Sequence, residues 1–148
     1  MLRKIFVTTI LVVALVVPAF AANMKLVDAA KTGDIDAVRA LLKEKANVNE
    51  AQGDGMTPLH WAVYSNNFEV AELLVRSGAD VKAVTRLDSS TPLLMAATNG
   101  NTQMLDLLLK AGANVNAASS LGTTPLMQGA ASGNVDVVKL LIEHGLAE

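Results

Sequence analysis

The chain has 148 residues, of which 51% are hydrophobic and 18% are charged, with a formal net charge of −2 at pH 7. This apolar content excludes a disordered chain, and the length suffices for one compact domain. Only 3% of the residues are aromatic, and alanine and leucine dominate, which favours a core of closely packed helices over a sheet sandwich. The chain has no cysteine, which excludes disulfide bonds.

The first element in chain order has the pattern of a secretory signal peptide. Arg3 and Lys4 precede an apolar run over residues 5–17, and residues 19–21 read Ala-Phe-Ala. This run of 13 residues is shorter than the roughly 20 residues of a membrane-spanning helix. We therefore expect a signal peptide over residues 1–21, cleavage after Ala21 and a bacterial periplasmic location. A retained anchor, or an extracellular location, is the alternative.

Removal of this segment changes the charge of the chain. It reduces the twelve basic side chains to ten against fourteen acidic ones, a net charge of −4. Nucleic acid and anionic lipid bind most strongly to proteins with clustered Lys and Arg side chains. We therefore expect neither nucleic acid nor anionic lipid to be the main partner of the mature chain. After cleavage we also expect no stable membrane anchor.

The remainder, residues 22–148, consists of four units with a period of 33 or 34 residues. A Thr-Pro-Leu sequence recurs at intervals of 34 and 33 residues, and Leu-rich triplets recur in phase, with a copy near residue 41 that marks a first unit without Thr-Pro. The predicted units are about 24–52, 53–84, 85–118 and 119–148. The Thr-Pro-Leu copies are Thr57-Pro58-Leu59, Thr91-Pro92-Leu93 and Thr124-Pro125-Leu126.

Each unit has the start and stop signals of two short helices. The threonine of Thr-Pro-Leu can cap a helix by accepting a backbone N–H, and proline suits the first helical position because its missing N–H is not needed there. We expect left-handed glycines to end the second helices at Gly78, Gly112 and Gly145. The first unit has Lys45 at this position, at a cost of about 1 kcal/mol if its backbone is left-handed.

These features together resemble the ankyrin-repeat family. The fullest match is residues 54–62, Asp-Gly-Met-Thr-Pro-Leu-His-Trp-Ala. The resemblance covers essentially the whole mature chain and implies an all-α solenoid of four stacked repeats, each a β-turn followed by a helix-turn-helix. It also implies a protein–protein interaction module, and it assigns His60 a structural hydrogen bond to the backbone of a neighbouring repeat.

The resemblance places two positions of each first helix on a concave surface. Trp61 and Tyr64, the only Trp and Tyr in the chain, fall at such positions, with Met95 on the next repeat. Aromatic and methionine side chains are frequent anchors of binding energy, so we expect these three to contact a partner protein. Packing of Trp61 and Tyr64 over the neighbouring helix is the alternative. The concave positions are Asp28, Lys31, Trp61, Tyr64, Met95, Thr98, Gln128 and Ala131.

The turn at the start of the third unit is a second candidate surface. It carries one extra residue within residues 85–90, which predicts a longer, protruding turn with Arg86 and Leu87 at its tip. An exposed leucine is common on protein surfaces, so an ordinary solvated turn is the alternative.

No catalytic or metal-binding constellation is evident. The chain has two histidines in different units and no cysteine, whereas a metal site needs three or four converging ligands. No strand-turn-helix elbow presents a serine beside His60. We therefore expect no enzyme activity and no bound cofactor or metal. We also expect the chain to be a monomer. The resemblance and the expected compartment suggest two settings: immunity against a secreted toxin, or assistance to a periplasmic stress-defence enzyme.

Overall fold

Eight helices, arranged as four helix pairs, form the regular structure of residues 25–147, the range that the computed structural model describes. The pairs are α1 (Leu26–Thr32) with α2 (Ile35–Lys43), α3 (Pro58–Tyr64) with α4 (Phe68–Arg76), α5 (Pro92–Thr98) with α6 (Thr102–Lys110), and α7 (Pro125–Ser132) with α8 (Val135–Leu146). None of these helices is long and apolar enough to cross a membrane. The predicted signal peptide lies outside the described residues.

The four pairs stack in sequence order to form two layers. The first helices contact one another in the order α1, α3, α5, α7, and the second helices contact one another in the order α2, α4, α6, α8. Each helix therefore packs against its partner and against the helices of the adjacent pairs. This is the all-α solenoid with one helix pair per repeat that the sequence predicts.

Side-chain caps fix where the helices begin. The hydroxyl groups of Thr57, Thr91 and Thr124 accept backbone N–H groups of the first turns of α3, α5 and α7, and a proline follows each threonine. Asp34 caps α2 in the same way, and the other three second helices, α4, α6 and α8, begin at asparagines that the repeat pattern did not mark as caps. These asparagines are Asn67, Asn101 and Asn134.

The ends of the second helices agree with the repeat pattern in the inner units. Gly78 and Gly112 have φ angles of 91° and 93°, in the left-handed region, and they follow α4 and α6. Lys45 has a φ angle of 60° after α2, so the first repeat carries the left-handed lysine that the sequence suggested. A side chain with a Cβ atom is strained in this conformation.

The predicted cap at Gly145 is wrong, because this glycine lies inside α8, which continues to Leu146. After Gly112, the N–H of Ala113 bonds to the carbonyl of Leu108 at 3.0 Å, and Ala113 is buried, so the chain leaves the helix to pack against the core. Leu146, the corresponding residue after Gly145, is 83% exposed. Without this packing, the helical hydrogen bonds continue past the glycine.

The core lies between the stacked repeats. Leu59 and Leu93 of the first helices are fully buried, as is Leu74 of α4. The alanines Ala62 and Ala96, also fully buried, let the first helices approach closely. The repeats are therefore held together mainly by apolar surface that each one buries against the next.

The turns that precede the helix pairs differ in length. Backbone hydrogen bonds close the turn of the second repeat between residues 52 and 56, and that of the fourth between residues 119 and 123. In the third repeat the N–H of Thr85 bonds to the carbonyl of Ser90, which encloses one more residue. The structure thus contains the longer turn that the sequence predicts.

Hydrogen bonds at both ends also join the second repeat to the third and the third to the fourth. At the turn end, N–H groups donate to carbonyls of the preceding turn at 2.8 Å, and at the opposite end asparagine amides bond to the preceding repeat, also at 2.8 Å. The turn-end bonds join Arg86 to Asp54 and Ser120 to Asp88. The asparagine bonds join Asn101 to Asn66 and Asn134 to Gly100.

Candidate functional site

Helix α3 places Trp61 and Tyr64 one turn apart on the same side of the helix. Their ring centroids are 5.8 Å apart and the ring planes meet at 84°, an edge-to-face pair. Trp61 is half-buried against the core, whereas Tyr64 is 66% exposed. The two rings therefore form one aromatic surface that is open to solvent.

Two polar contacts hold the Trp61 ring in place. The Lys31 ammonium of the first repeat lies 4.4 Å from the ring centroid, within the range of a cation–π interaction. The Trp61 Nε1–H donates to Oε1 of Gln52 at 3.1 Å. The repeat pattern predicts that Lys31 lies on this face, because Lys31 is 33 residues before Tyr64 and in register with it. The pattern did not reveal either contact of the Trp61 ring.

The other predicted concave residues lie along the same row of first helices. Asp28 on α1, Met95 on α5 and Gln128 on α7 are each half-buried. Met95 lines a groove beside the turns together with Leu87. The structure thus brings Tyr64 and Lys31 into contact with Trp61, and it places Met95 beside Leu87 of the turn.

At the longer turn, the two predicted tip residues differ. Leu87 is 87% exposed and projects from the turn. Arg86 instead bonds to the preceding turn, because its Nη1 donates to the carbonyl of Gly53 at 3.0 Å and its N–H donates to that of Asp54. Arg86 therefore joins two turns, whereas the sequence predicted an exposed tip residue.

His60 is fully buried and joins the second repeat to the third. Its Nδ1 accepts the N–H of Thr57 at 3.2 Å and lies 2.8 Å from the Thr57 hydroxyl, so Nε2 carries the proton that is donated to the carbonyl of Ser90 at 3.2 Å. Burial lowers the pKa of His60, although the carbonyls of Ser90 and Ala83 partly oppose this shift. The bond to Ser90 is the structural bond that the resemblance implied.

Titratable side chains do not gather into a metal-binding group within residues 25–147. No three His, Asp or Glu side chains in this range come together in an arrangement that could hold an ion.

Comparison with known families agrees with this geometry. Residues 26–75 match "Ankyrin repeats (many copies)", and residues 77–147 match "Ankyrin repeats (3 copies)". The chain belongs to the ankyrin-repeat family. Ankyrin repeats are generally non-catalytic modules that bind other proteins, and the two matches together cover all four helix pairs.

Curated relatives share short segments with this chain. Human ankyrin repeat domain-containing protein 49 is 47% identical over 58 residues, which are 38% of this chain and 24% of that protein. The Caenorhabditis elegans ankyrin repeat and LEM domain-containing protein 1 homolog is 45% identical over 56 residues, 38% of this chain and 8% of the relative. Human 2-5A-dependent ribonuclease is 44% identical over 59 residues, 39% of this chain and 8% of the enzyme. The chain therefore matches only a small part of each relative's length.

Proposed function

We propose that this chain is a non-catalytic binding module of the bacterial periplasm, which holds a partner protein against its concave face and turn tips. The observation that carries the proposal is the aromatic pair of the second repeat. Trp61 is fixed by Lys31 and Gln52, and Tyr64 beside it is mostly exposed. The ankyrin fold needs no large ring at either position, as Met95 and Thr98 show at the equivalent sites of the third repeat.

Fixed aromatic side chains favour binding for two reasons. A ring that is already held in one orientation loses little rotational freedom when a partner covers it. Tyrosine and tryptophan also combine large apolar area with a polar group, and they are enriched among residues that dominate interface energies. The pair therefore provides an anchor of the kind found at the centre of protein interfaces.

The sequence of residues 1–21 supports the periplasmic part of the proposal. Its basic residues, apolar run and Ala-Phe-Ala sequence match the three regions of a signal peptide. The absence of cysteine from the chain makes its folding independent of disulfide formation in an oxidising compartment. Identification of the captured partner would distinguish a toxin from a stress-defence enzyme.

The test is capture of a partner from periplasmic extract of the native host by the exported chain, carrying a C-terminal affinity tag. We expect Tyr64→Ala to weaken capture by about tenfold or more, as for an interface anchor, with little change in stability because the side chain is exposed. Mass spectrometry of the exported chain should show a mature N-terminus at Ala22. A chain that stays in the cytoplasm with residues 1–21 intact would contradict the location.

Phe68→Ala is the matched control, because it also removes an aromatic ring. Phe68 begins α4 in the other helix layer and packs against the core. This variant should be destabilised but should retain its partner when it is assayed well below its unfolding temperature. Equal loss of capture in the two variants would contradict the anchor role of Tyr64.

A further inference from the structure

A groove of about 280 Å³ lies between the turns of the second and third repeats, next to the concave face. This volume is slightly below the range of small-molecule sites, about 300–1,000 Å³, and suits a single long side chain. Its lining residues are Asp54, Met56, Thr85, Leu87, Asp88 and Met95.

The lining combines apolar and acidic groups. Met56, Met95 and Leu87 provide flexible apolar surface, and Asp54 and Asp88 provide one carboxylate from each turn. This combination matches the chemistry of arginine and lysine, which bury an aliphatic stem on apolar surface and place a cation at its end.

Both carboxylates are held in place by their own turns. Oδ1 of Asp54 accepts the N–H of Met56 at 2.9 Å. Oδ1 of Asp88 accepts the N–H of Ser90 at 3.2 Å and the hydroxyl of Thr85. Within residues 25–147, the protein hydrogen bonds to these two carboxylates all use Oδ1, which leaves each Oδ2 for another donor.

The cation nearest in sequence does not line the groove. The guanidinium of Arg86 bonds to the carbonyl of Gly53. The N–H of Arg86 bonds to the carbonyl of Asp54 at 2.8 Å, which fixes the two turns, and so the two carboxylates, relative to each other. The groove is thus an acidic site whose shape exists before a ligand arrives.

We propose that this groove receives a basic side chain, arginine or lysine, from the contacting segment of the partner protein. The inference rests on the proposed binding function and adds the chemistry of one contact. The aliphatic stem lies on Met56 and Met95, and the charged end bonds to Asp54 and Asp88 as a charge-assisted pair.

The test uses small probes rather than the unidentified partner. N-acetyl-arginine amide, and its neutral analogue N-acetyl-citrulline amide, are titrated into the full chain labelled with ¹³C in the methionine methyl groups. Met56 and Met95 report on the groove, whereas Met104, buried in α6, and Met127, on α7, are internal references. We expect the arginine probe to shift the Met56 and Met95 signals in the millimolar range and the citrulline probe to bind about tenfold more weakly.

Variants separate the carboxylates from general charge effects. Asparagine keeps the oxygen that accepts the turn hydrogen bonds, so the double variant Asp54→Asn/Asp88→Asn should fold normally and bind the arginine probe as weakly as citrulline. Asp106→Asn removes an acidic group of α6 that pairs with Lys110, away from the groove, and should leave probe binding within about twofold of the original.

Three results would overturn the inference: equal binding of the two probes, unchanged binding in the double variant, or no shift at Met56 and Met95 with either probe. The probe experiment does not depend on Tyr64 or on capture of a protein. If the groove does not bind the arginine probe but Tyr64→Ala abolishes capture, only the proposed contact with a basic side chain is refuted. A groove that binds arginine while Tyr64→Ala captures the partner normally would refute the proposed anchor alone.

Discussion

Leu59 in the second repeat and Leu126 in the fourth occupy the same position of the Thr-Pro-Leu sequence, yet only Leu59 is buried, and Leu126 is 42% exposed. The next position shows the same difference, because His60 is buried whereas Met127 is 58% exposed. A threonine side chain caps the helix start in both repeats, and in α3 the N–H of Thr57 also donates to His60. The comparison shows that the local sequence determines the helices, but that the following repeat determines how much of them is buried.

This difference has an energetic consequence. In a stack of repeats, stability is approximately the sum of each repeat's own contribution and its interfaces with its neighbours. The second repeat has an interface on both sides within the described residues, whereas the fourth has one, with the third. Substitutions at equivalent positions should therefore lower the free energy of unfolding more in the second and third repeats than in the fourth.

The largest expected difference is between Leu93→Ala and Leu126→Ala. Leu93 is fully buried, and its truncation should lower the free energy of unfolding by about 3 kcal/mol, through lost burial and the cavity left behind. Leu126 already exposes much of its surface, so its truncation should cost about 1 kcal/mol. Urea unfolding followed by circular dichroism measures both values. Equal costs would contradict the dependence of burial on the following repeat.

The turns provide a second matched pair, Gly55→Ala and Gly122→Ala. Both glycines have positive φ angles, 86° and 79°, so an alanine at either position costs about 1 kcal/mol in backbone strain. A Cβ at Gly55 would also lie 2.9 Å from the backbone nitrogen of Arg86, whereas at Gly122 nothing lies within 4 Å.

We therefore expect Gly55→Ala to cost about 2 kcal/mol or more, and Gly122→Ala to cost only the strain. Thermal unfolding of the two variants measures the difference. A smaller cost for Gly55→Ala than for Gly122→Ala would show that the turns can separate without loss of stability.

The smallest expected effect is a pH dependence that originates at His60. Its pKa in the folded chain is lowered by burial from the ordinary value of 6.5, so the unfolded chain binds a proton more readily. The contribution of His60 to stability is therefore complete above pH 6.5 and declines as the pH falls towards the lower pKa of the folded state. For one group the slope cannot exceed about 1.4 kcal/mol per pH unit.

Urea unfolding between pH 7.5 and 5.5, above the range in which carboxylates titrate, measures this effect. His60→Leu is the control, because Leu94 fills the equivalent position of the third repeat and is buried there. The variant should show a flatter pH profile than the original chain. An unchanged profile would assign the pH dependence to other groups.

Much of the fold could be predicted because its determinants are local and repeated. A threonine followed by a proline specifies a helix start, as at Thr57 and Pro58, so three in-phase copies of this pair define the architecture. Gly145 misled the prediction because a glycine permits a left-handed end but does not require one. The segment after it must also pack against the core, and Leu146 does not.

Less of the candidate site could be predicted, because it depends on contacts between repeats. The spacing of Trp61 and Tyr64 placed both rings on one side of α3, which the structure shows. The bond of Arg86 to Gly53 and the cation–π contact of Lys31 join residues about one repeat apart, and their geometry depends on how closely the repeats approach. The distance between neighbouring repeats cannot be predicted from composition and spacing alone.

The hydrogen bonds that join the second, third and fourth repeats at both ends also bear on binding. Two points of attachment oppose both a twist and a hinge motion between these repeats. If the surface changes little when a partner binds, most of the entropic cost of ordering falls on the partner, and a partner segment that is already ordered should bind most tightly.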